Sequence, residues 1–362
     1  MTRLTFVGDI SLDKPLLKAA KARGNGKYDF SDVFHTEDVF QRSDLVVGNL
    51  ETVFGGGRRF NKKPYHYNSP DSFCKAVKDA GINLVSTANN HCMDEGVAGL
   101  RRTLEQLDAC GIEHTGTFPA ATEDRFLVKE INGVRIAFYS LTYSVNICKE
   151  SIEAGDLYRY INLTGFSAGR VSKIQLLKRY VIGPKIKQIS LKKRGQSTIS
   201  SHPDIFKIEQ IKPEWMADIE RQIRLAREQS DVLVVLLHSG GQFNIEPGDY
   251  SRFMMDKLCA LGADIIIGNH SHTTQRIENR SGKIVAYSLG GYCMSASGEY
   301  LVHECLPEFN LAVHVDIDET GRIEGFAAEV LKNTEDGQAY LNVRKAKDDD
   351  EGADAIRIRC GL

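Results

Sequence analysis

Ala263-Asp264-Ile265-Ile266-Ile267-Gly268-Asn269-His270-Ser271-His272 is an aliphatic, β-branched run that ends in polar, ligand-type side chains. A run this uniformly apolar reads as a central strand covered on both faces. His270 and His272, two apart on extended chain, share a face, so both rings can reach one ion or two adjacent ions. The pattern recurs along the chain. Leu4-Thr5-Phe6-Val7 stops at Gly8-Asp9, and Leu45-Val46-Val47 at Gly48-Asn49-Leu50-Glu51. Leu84-Val85-Ser86 runs into Ala88-Asn89-Asn90-His91, and the six apolar residues Val232 to Leu237 into His238.

Between these strands lie helical patterns. Pro70–Ala80 places Phe73, Val77 and Ala80 on one face, and about 96–110 does the same with Leu100, Leu104 and Leu107. A helix starting near Pro213 carries the stripe Trp215, Ile219, Ile223 and Ala226, and another lies near 250–261. Val134–Leu141, Ile284–Leu289 and Asn310–Ile317 read as further strands. Alternating strands and helices imply an α/β sheet with helices packed on it. Loops leaving the carboxyl ends of such strands converge in space, and ligands bind there. Asp9, Glu51, Asn90, His238, His270 and His272 are thus candidates for one cluster. This mixture of imidazole and oxygen donors suits Zn²⁺, Mn²⁺ or Fe better than Ca²⁺ or Mg²⁺.

Each residue alone has a plainer reading. Asp9 could cap a helix, Glu51 could pair with Arg58 or Arg59, and Asn90 could occupy a turn. His238 could be a core histidine bonded to a carbonyl, and His270 and His272 could be surface loop residues. Five separate strand ends, all offering metal-type ligands, favour the cluster.

Composition narrows the class. The 362 residues are 42% hydrophobic and 26% charged, with formal charge −2, a globular profile that excludes a nucleic-acid binder working through overall charge. No apolar run approaches the ~18 residues of a membrane span, and the N-terminus turns polar at Gly8-Asp9, too soon for a secretory signal. The 8 cysteines are dispersed without a Cys-x-x-Cys pair, which reads as a reduced, cytoplasmic protein. Residues 157–203 hold ten basic side chains and no acidic one. They read as a basic insertion that is a solvated face or loop, a surface pairing with the acidic remainder of a dimer partner, or a cradle for an anionic polymer. The expected organisation is one domain over 1–344, interrupted at about 150–212, with a charged C-terminal tail at 345–362. Lys63, His66 and Tyr67 are either substrate contacts or part of a hairpin-like loop. Gly55–Gly57 is no phosphate loop, and Ser239 lacks a nucleophile elbow.

The ordered motifs Gly8-Asp9, Gly48-Asn49-Leu50-Glu51-Thr52, Ala88-Asn89-Asn90-His91 with Asp94 and Gly96, His238-Ser239-Gly240-Gly241, Gly268–His272 and Ala286-Tyr287-Ser288-Leu289-Gly290 resemble those of the bacterial capsule-synthesis CapA family. This family is also called the poly-γ-glutamate biosynthesis family. The resemblance covers about 4–145 and 213–317. The family is in turn similar to calcineurin-like metallophosphoesterases, which implies a four-layer α/β/β/α sandwich with a two-metal site at the strand ends.

By that resemblance Asp9 and His272 serve a first divalent metal, and Asn90, His238 and His270 a second. Glu51 stands in the region of the bridging carboxylate and His91 is the catalytic histidine. Two positions depart from the phosphoesterase pattern: Ser11 stands where a histidine is usual, and Asn49 where the bridging aspartate is usual. The implied activity is hydrolysis of an amide or phosphoester bond by an activated water, connected with capsule or poly-γ-glutamate synthesis or processing. The substrate would be an anionic polymer or a small molecule, with no nucleic acid. The alternative is a non-catalytic protein that binds such a polymer or assembles with its synthesis enzymes. Neither the oligomeric state nor the metal is fixed by the motifs.

Overall fold

The computed structural model describes residues 1–57, 60–61, 66–146, 156–165, 207–298 and 302–362. In chain order its strands are β1 (Thr2–Ile10), β2 (Phe34–His35), β3 (Leu45–Leu50), β4 (Leu84–Ser86), β5 (Glu113–Thr115), β6 (Leu127–Ile131) and β7 (Val134–Thr142). They continue as β8 (Val232–His238), β9 (Ile265–Asn269), β10 (Ile277–Arg280), β11 (Lys283–Ala286), β12 (Phe309–Ile317), β13 (Ile323–Glu335) and β14 (Leu341–Lys345). The helices are α1 (Lys14–Arg23), α2 (Glu37–Phe40), α3 (Asp71–Asp79), α4 (Gly96–Cys110), α5 (Pro213–Glu228), α6 (Asp249–Ala260) and α7 (Ala353–Cys360).

Two sheets form. One has the order β2-β14-β13-β12-β1-β3-β4-β5, the other β10-β11-β9-β8-β7-β6. Alternation along the central strands decides the layers. In β8, Val232, Val234 and Leu236 enter the core between the sheets, where they meet Leu4 and Phe6 of β1. Leu233, Val235 and Leu237 point the other way, onto α5 and α6 through Ile219, Ile223, Met254 and Leu258. The first sheet's outer face is covered by α1, α2 and α3 through Leu16, Val39, Phe73 and Val77. The result is the four-layer α/β/β/α sandwich that the resemblance implies.

The sheets are joined at the functional edge. The Asp9 backbone N–H donates to Gly290 O at 2.9 Å, and the Cys293 N–H donates to Asp9 O at 3.1 Å. A Cβ at Gly8 would lie 1.9 Å from Gly290 O, so only glycine lets β1 pass that close to the other sheet's loop.

Residues 345–362, expected as a charged tail, carry α7, which buries Ala353, Ile356 and Cys360 in the inter-sheet core. Its apolar positions at i, i+3 and i+7 lie among arginines and aspartates, which dominate the composition but occupy the outer face. Arg58, Arg59, Lys63 and most of the basic stretch 157–203 lie outside the described residues.

Candidate metal centre

Parallel pairing brings the donors together. Asp9 is paired with Asn49 across β1 and β3, and Asn49 with Ser86 across β3 and β4. In the other sheet Thr142, His238 and Asn269 stand side by side at the ends of β7, β8 and β9. The carboxyl edges of the two sheets face each other across the inter-sheet core, and the candidate side chains meet between them.

Asp9, Glu51, Asn90, His91, His238, His270 and His272 are all buried there. Two donor groups emerge among the described residues: Asp9, Glu51 and His272, and Glu51, His238 and His270, each with its ligand atoms within 4.8 Å of one another. Glu51 belongs to both. Its Oε2 lies 3.6 Å from His272 Nδ1, and its Oε1 lies 3.6 Å from His238 Nε2. His272 Nδ1 is 3.1 Å from Asp9 Oδ2. Asn90 joins the second group, with Oδ1 at 2.8 Å from His238 Nε2. Ligand atoms ~2.1 Å from one ion lie ~3.0–3.4 Å from each other, close to the spacing seen.

The donor set also fits a cation by what it lacks. Both Glu51 oxygens, His270 Nδ1 and His272 Nδ1 are buried without a hydrogen-bond partner. Buried polar atoms are rarely left so, and each such group asks for an explanation. Burial pushes the Glu51 carboxyl well above the usual carboxylate range, and the charges of Asp9 and Asp94 push it further. Burial holds the His238 and His270 imidazoles well below their ordinary value, with the neighbouring histidines adding to it. Neutral rings keep the lone pair a metal requires, and a divalent cation would compensate the buried carboxylates.

His91 stands beside this centre. Its Nδ1 is 2.7 Å from Asp94 Oδ2, and its Nε2 is 4.0 Å from Glu51 Oε1. Asp94 also accepts the Tyr67 backbone N–H at 2.6 Å, and the Tyr67 ring packs on His91 with centroids 4.4 Å apart. His66 lies one residue further, with Nε2 3.5 Å from Glu95 Oε1. Asn146 Nδ2 reaches within 3.3 Å of His91 Nδ1.

The two departures have distinct outcomes. Ser11 turns its hydroxyl to Cys293 O at 3.4 Å. Asn49 enters the cluster as an amide, its Nδ2 2.7 Å from Asp9 Oδ1 and 3.0 Å from His238 Nδ1. Tyr143 is absent from the sequence candidates, yet its hydroxyl lies 3.3 Å from His270 Nε2. It follows the apolar strand Val134–Leu141, so the strand-end logic that finds the histidines extends to it.

Comparison with known proteins adds the family. The model of the bacterial capsule synthesis protein PGA_cap matches residues 3–295. A protein named PGA biosynthesis protein CapA, from Bacillus subtilis (strain 168), is 24% identical over 325 residues, spanning 88% of this chain and 69% of that one. A capsule biosynthesis protein CapA from Bacillus anthracis is 22% identical over 313 residues, spanning 85% of this chain and 63% of that one. Among solved structures, a hypothetical protein from Thermus thermophilus aligns over 91% of this chain and 99% of that chain, with 16% identity and TM-score 0.48. No helix among the described residues is long and apolar enough to cross a membrane.

Proposed function

The chain belongs to the bacterial capsule synthesis protein PGA_cap family, and from that premise we propose that it is a metal-dependent hydrolase acting in capsule or poly-γ-glutamate synthesis or processing. One observation carries the reading: Glu51 is fully buried with neither oxygen hydrogen-bonded, and each oxygen faces a different donor group. Asp9, Glu51 and His272 would hold one divalent ion, and Glu51, Asn90, His238 and His270 a second, with Mn, Zn or Fe matching the donors. Bound there, such ions supply Lewis-acid polarisation of the scissile bond and activation of the attacking water.

The chain's own groups do the rest. Asp94 holds His91 by Nδ1, which keeps a proton on that nitrogen or, when the ring is charged, on both. The charged ring can give its Nε2 proton to a leaving group, and either form is held in one orientation. The burial of the cluster excludes bulk water and strengthens every charge interaction within it. Amide and phosphoester cleavage both develop negative charge that such a site would stabilise. The names of the relatives favour an anionic polymer or its precursor as substrate.

The test is metal analysis of the purified chain together with turnover of a chromogenic phosphodiester and a γ-glutamyl substrate. Bound divalent metal with turnover, both lost in a folded His238→Ala variant, is the expected result. Unchanged activity in that variant would remove His238 from the site. Polymer binding without metal or turnover would replace the hydrolase with a binding or assembly protein.

A further inference from the structure

We infer that Tyr143 is a positioning residue that fixes the tautomer and orientation of His270, presenting its Nδ1 lone pair to the centre. Tyr143 directly follows β7, and its backbone N–H donates to His238 O at 3.2 Å, so its place relative to β8 is fixed. Its side chain is buried, its hydroxyl is 3.3 Å from His270 Nε2, and the two ring centroids are 5.3 Å apart. His270 Nδ1, on the opposite side of the ring, is buried and unpartnered.

A neutral imidazole carries one proton on either nitrogen. With the proton on Nδ1, a buried donor would have no acceptor, an arrangement proteins avoid. With the proton on Nε2, it is donated to the Tyr143 oxygen, and Nδ1 is left with its lone pair, on a residue that shares a donor group with Glu51 and His238. The backbone of His270 is already fixed: its N–H donates to Asp9 Oδ2 at 3.2 Å and its φ is +99°, in the left-handed region. Ring rotation is the freedom that remains, and the tyrosine removes it. Outer partners of this kind typically govern metal affinity by about 10–100-fold.

The inference takes its ligand from the metal-centre reading, but its tautomer does not depend on that reading. The experiment therefore has two arms on the full chain. In the first, ¹⁵N NMR of the metal-free protein labelled at histidine reads the His270 tautomer. The proton is expected on Nε2 in the native chain, with a mixed population in Tyr143→Phe. A proton on Nδ1 in the native chain overturns the inference even if the variant does not fold. In the second, Mn²⁺ alone is titrated by calorimetry, with a ~10–100-fold loss of affinity expected in Tyr143→Phe. Equal affinity in the two proteins overturns the inference and leaves the metal reading intact. A native chain that binds no Mn²⁺, Zn²⁺ or Fe²⁺ overturns the metal reading, while the tautomer still decides the role of Tyr143.

Discussion

The side-chain amide of Asn49 donates to Asp9 Oδ1 across 2.7 Å, and the same nitrogen stands 3.0 Å from His238 Nδ1. A neutral group thus ties together one donor from each sheet at the position where the phosphoesterase pattern has a carboxylate. The carboxylate lies two residues on, at Glu51, whose N–H still donates to Ile10 O at 3.0 Å as the strand pairing runs out. Positions two apart on extended chain share a face, so the shift from 49 to 51 keeps the acid pointing into the same cluster.

Asn49→Asp puts a second charge against Asp9 in a buried site. The metal-free variant should lose about 1–3 kcal/mol of stability, since unpaired buried charges repel and desolvate at a cost. Excess Mn²⁺ should recover most of that loss, because a ligand bound to the folded state stabilises it by mass action. Denaturant unfolding with and without the ion measures both quantities. A variant as stable as the parent without metal would mean that Asp9 and residue 49 are not in contact.

Gly8→Ala should be severely destabilising although it adds one methyl group. The new carbon would sit 1.9 Å from Gly290 O, a backbone atom that cannot swing aside. Separating β1 from that loop should cost about 3 kcal/mol or more, and would also move Asp9. A urea midpoint equal to the parent's would show that the two sheets are not packed this closely.

Asp350 supplies the pH dependence. It receives bonds from Arg344 at 2.8 Å and Lys332 at 2.9 Å, and the Arg344 hydrogen bond holds its carboxyl well below the usual range. A carboxyl depressed in the folded state contributes stability above its unfolded value, and that contribution is lost as pH falls. At pH 7, Asp350→Asn should cost about 1–2 kcal/mol, discounted because the group sits near the surface. The gap between variant and parent should narrow as pH drops below ~4, the ordinary carboxylate range. A gap that stays constant down to acid pH would remove the ion pairs as its cause.

Much of this is legible in the chain because strand and core signals are local. The uniform runs at Val232–Leu237 and Ile265–Ile267 announce central strands, and the polar residues ending them gather at one edge of the fold. The half-buried hairpin strand β6, Leu127–Ile131, lacks such a run and gives no comparable signal. The helix Lys14–Arg23 has only a local one: Asp13 accepts a bond from the Leu16 N–H and caps it. At 345–362 a high charge density hides three buried residues, because composition counts the outer face and burial depends on the inner one.

What the amino-acid order determined is the inventory: which strands are apolar on both faces, and that Asp9, Glu51, Asn90, His238, His270 and His272 each stand at a strand end. Only the folded molecule decided that Glu51 reaches both donor groups, that Asn49 ties Asp9 to His238, and that Tyr143 meets His270. Those contacts join residues far apart in the chain across two converging sheets. Periodicity sees a few neighbours along one strand, whereas the angle and spacing at which two sheets meet are set by the whole core between them.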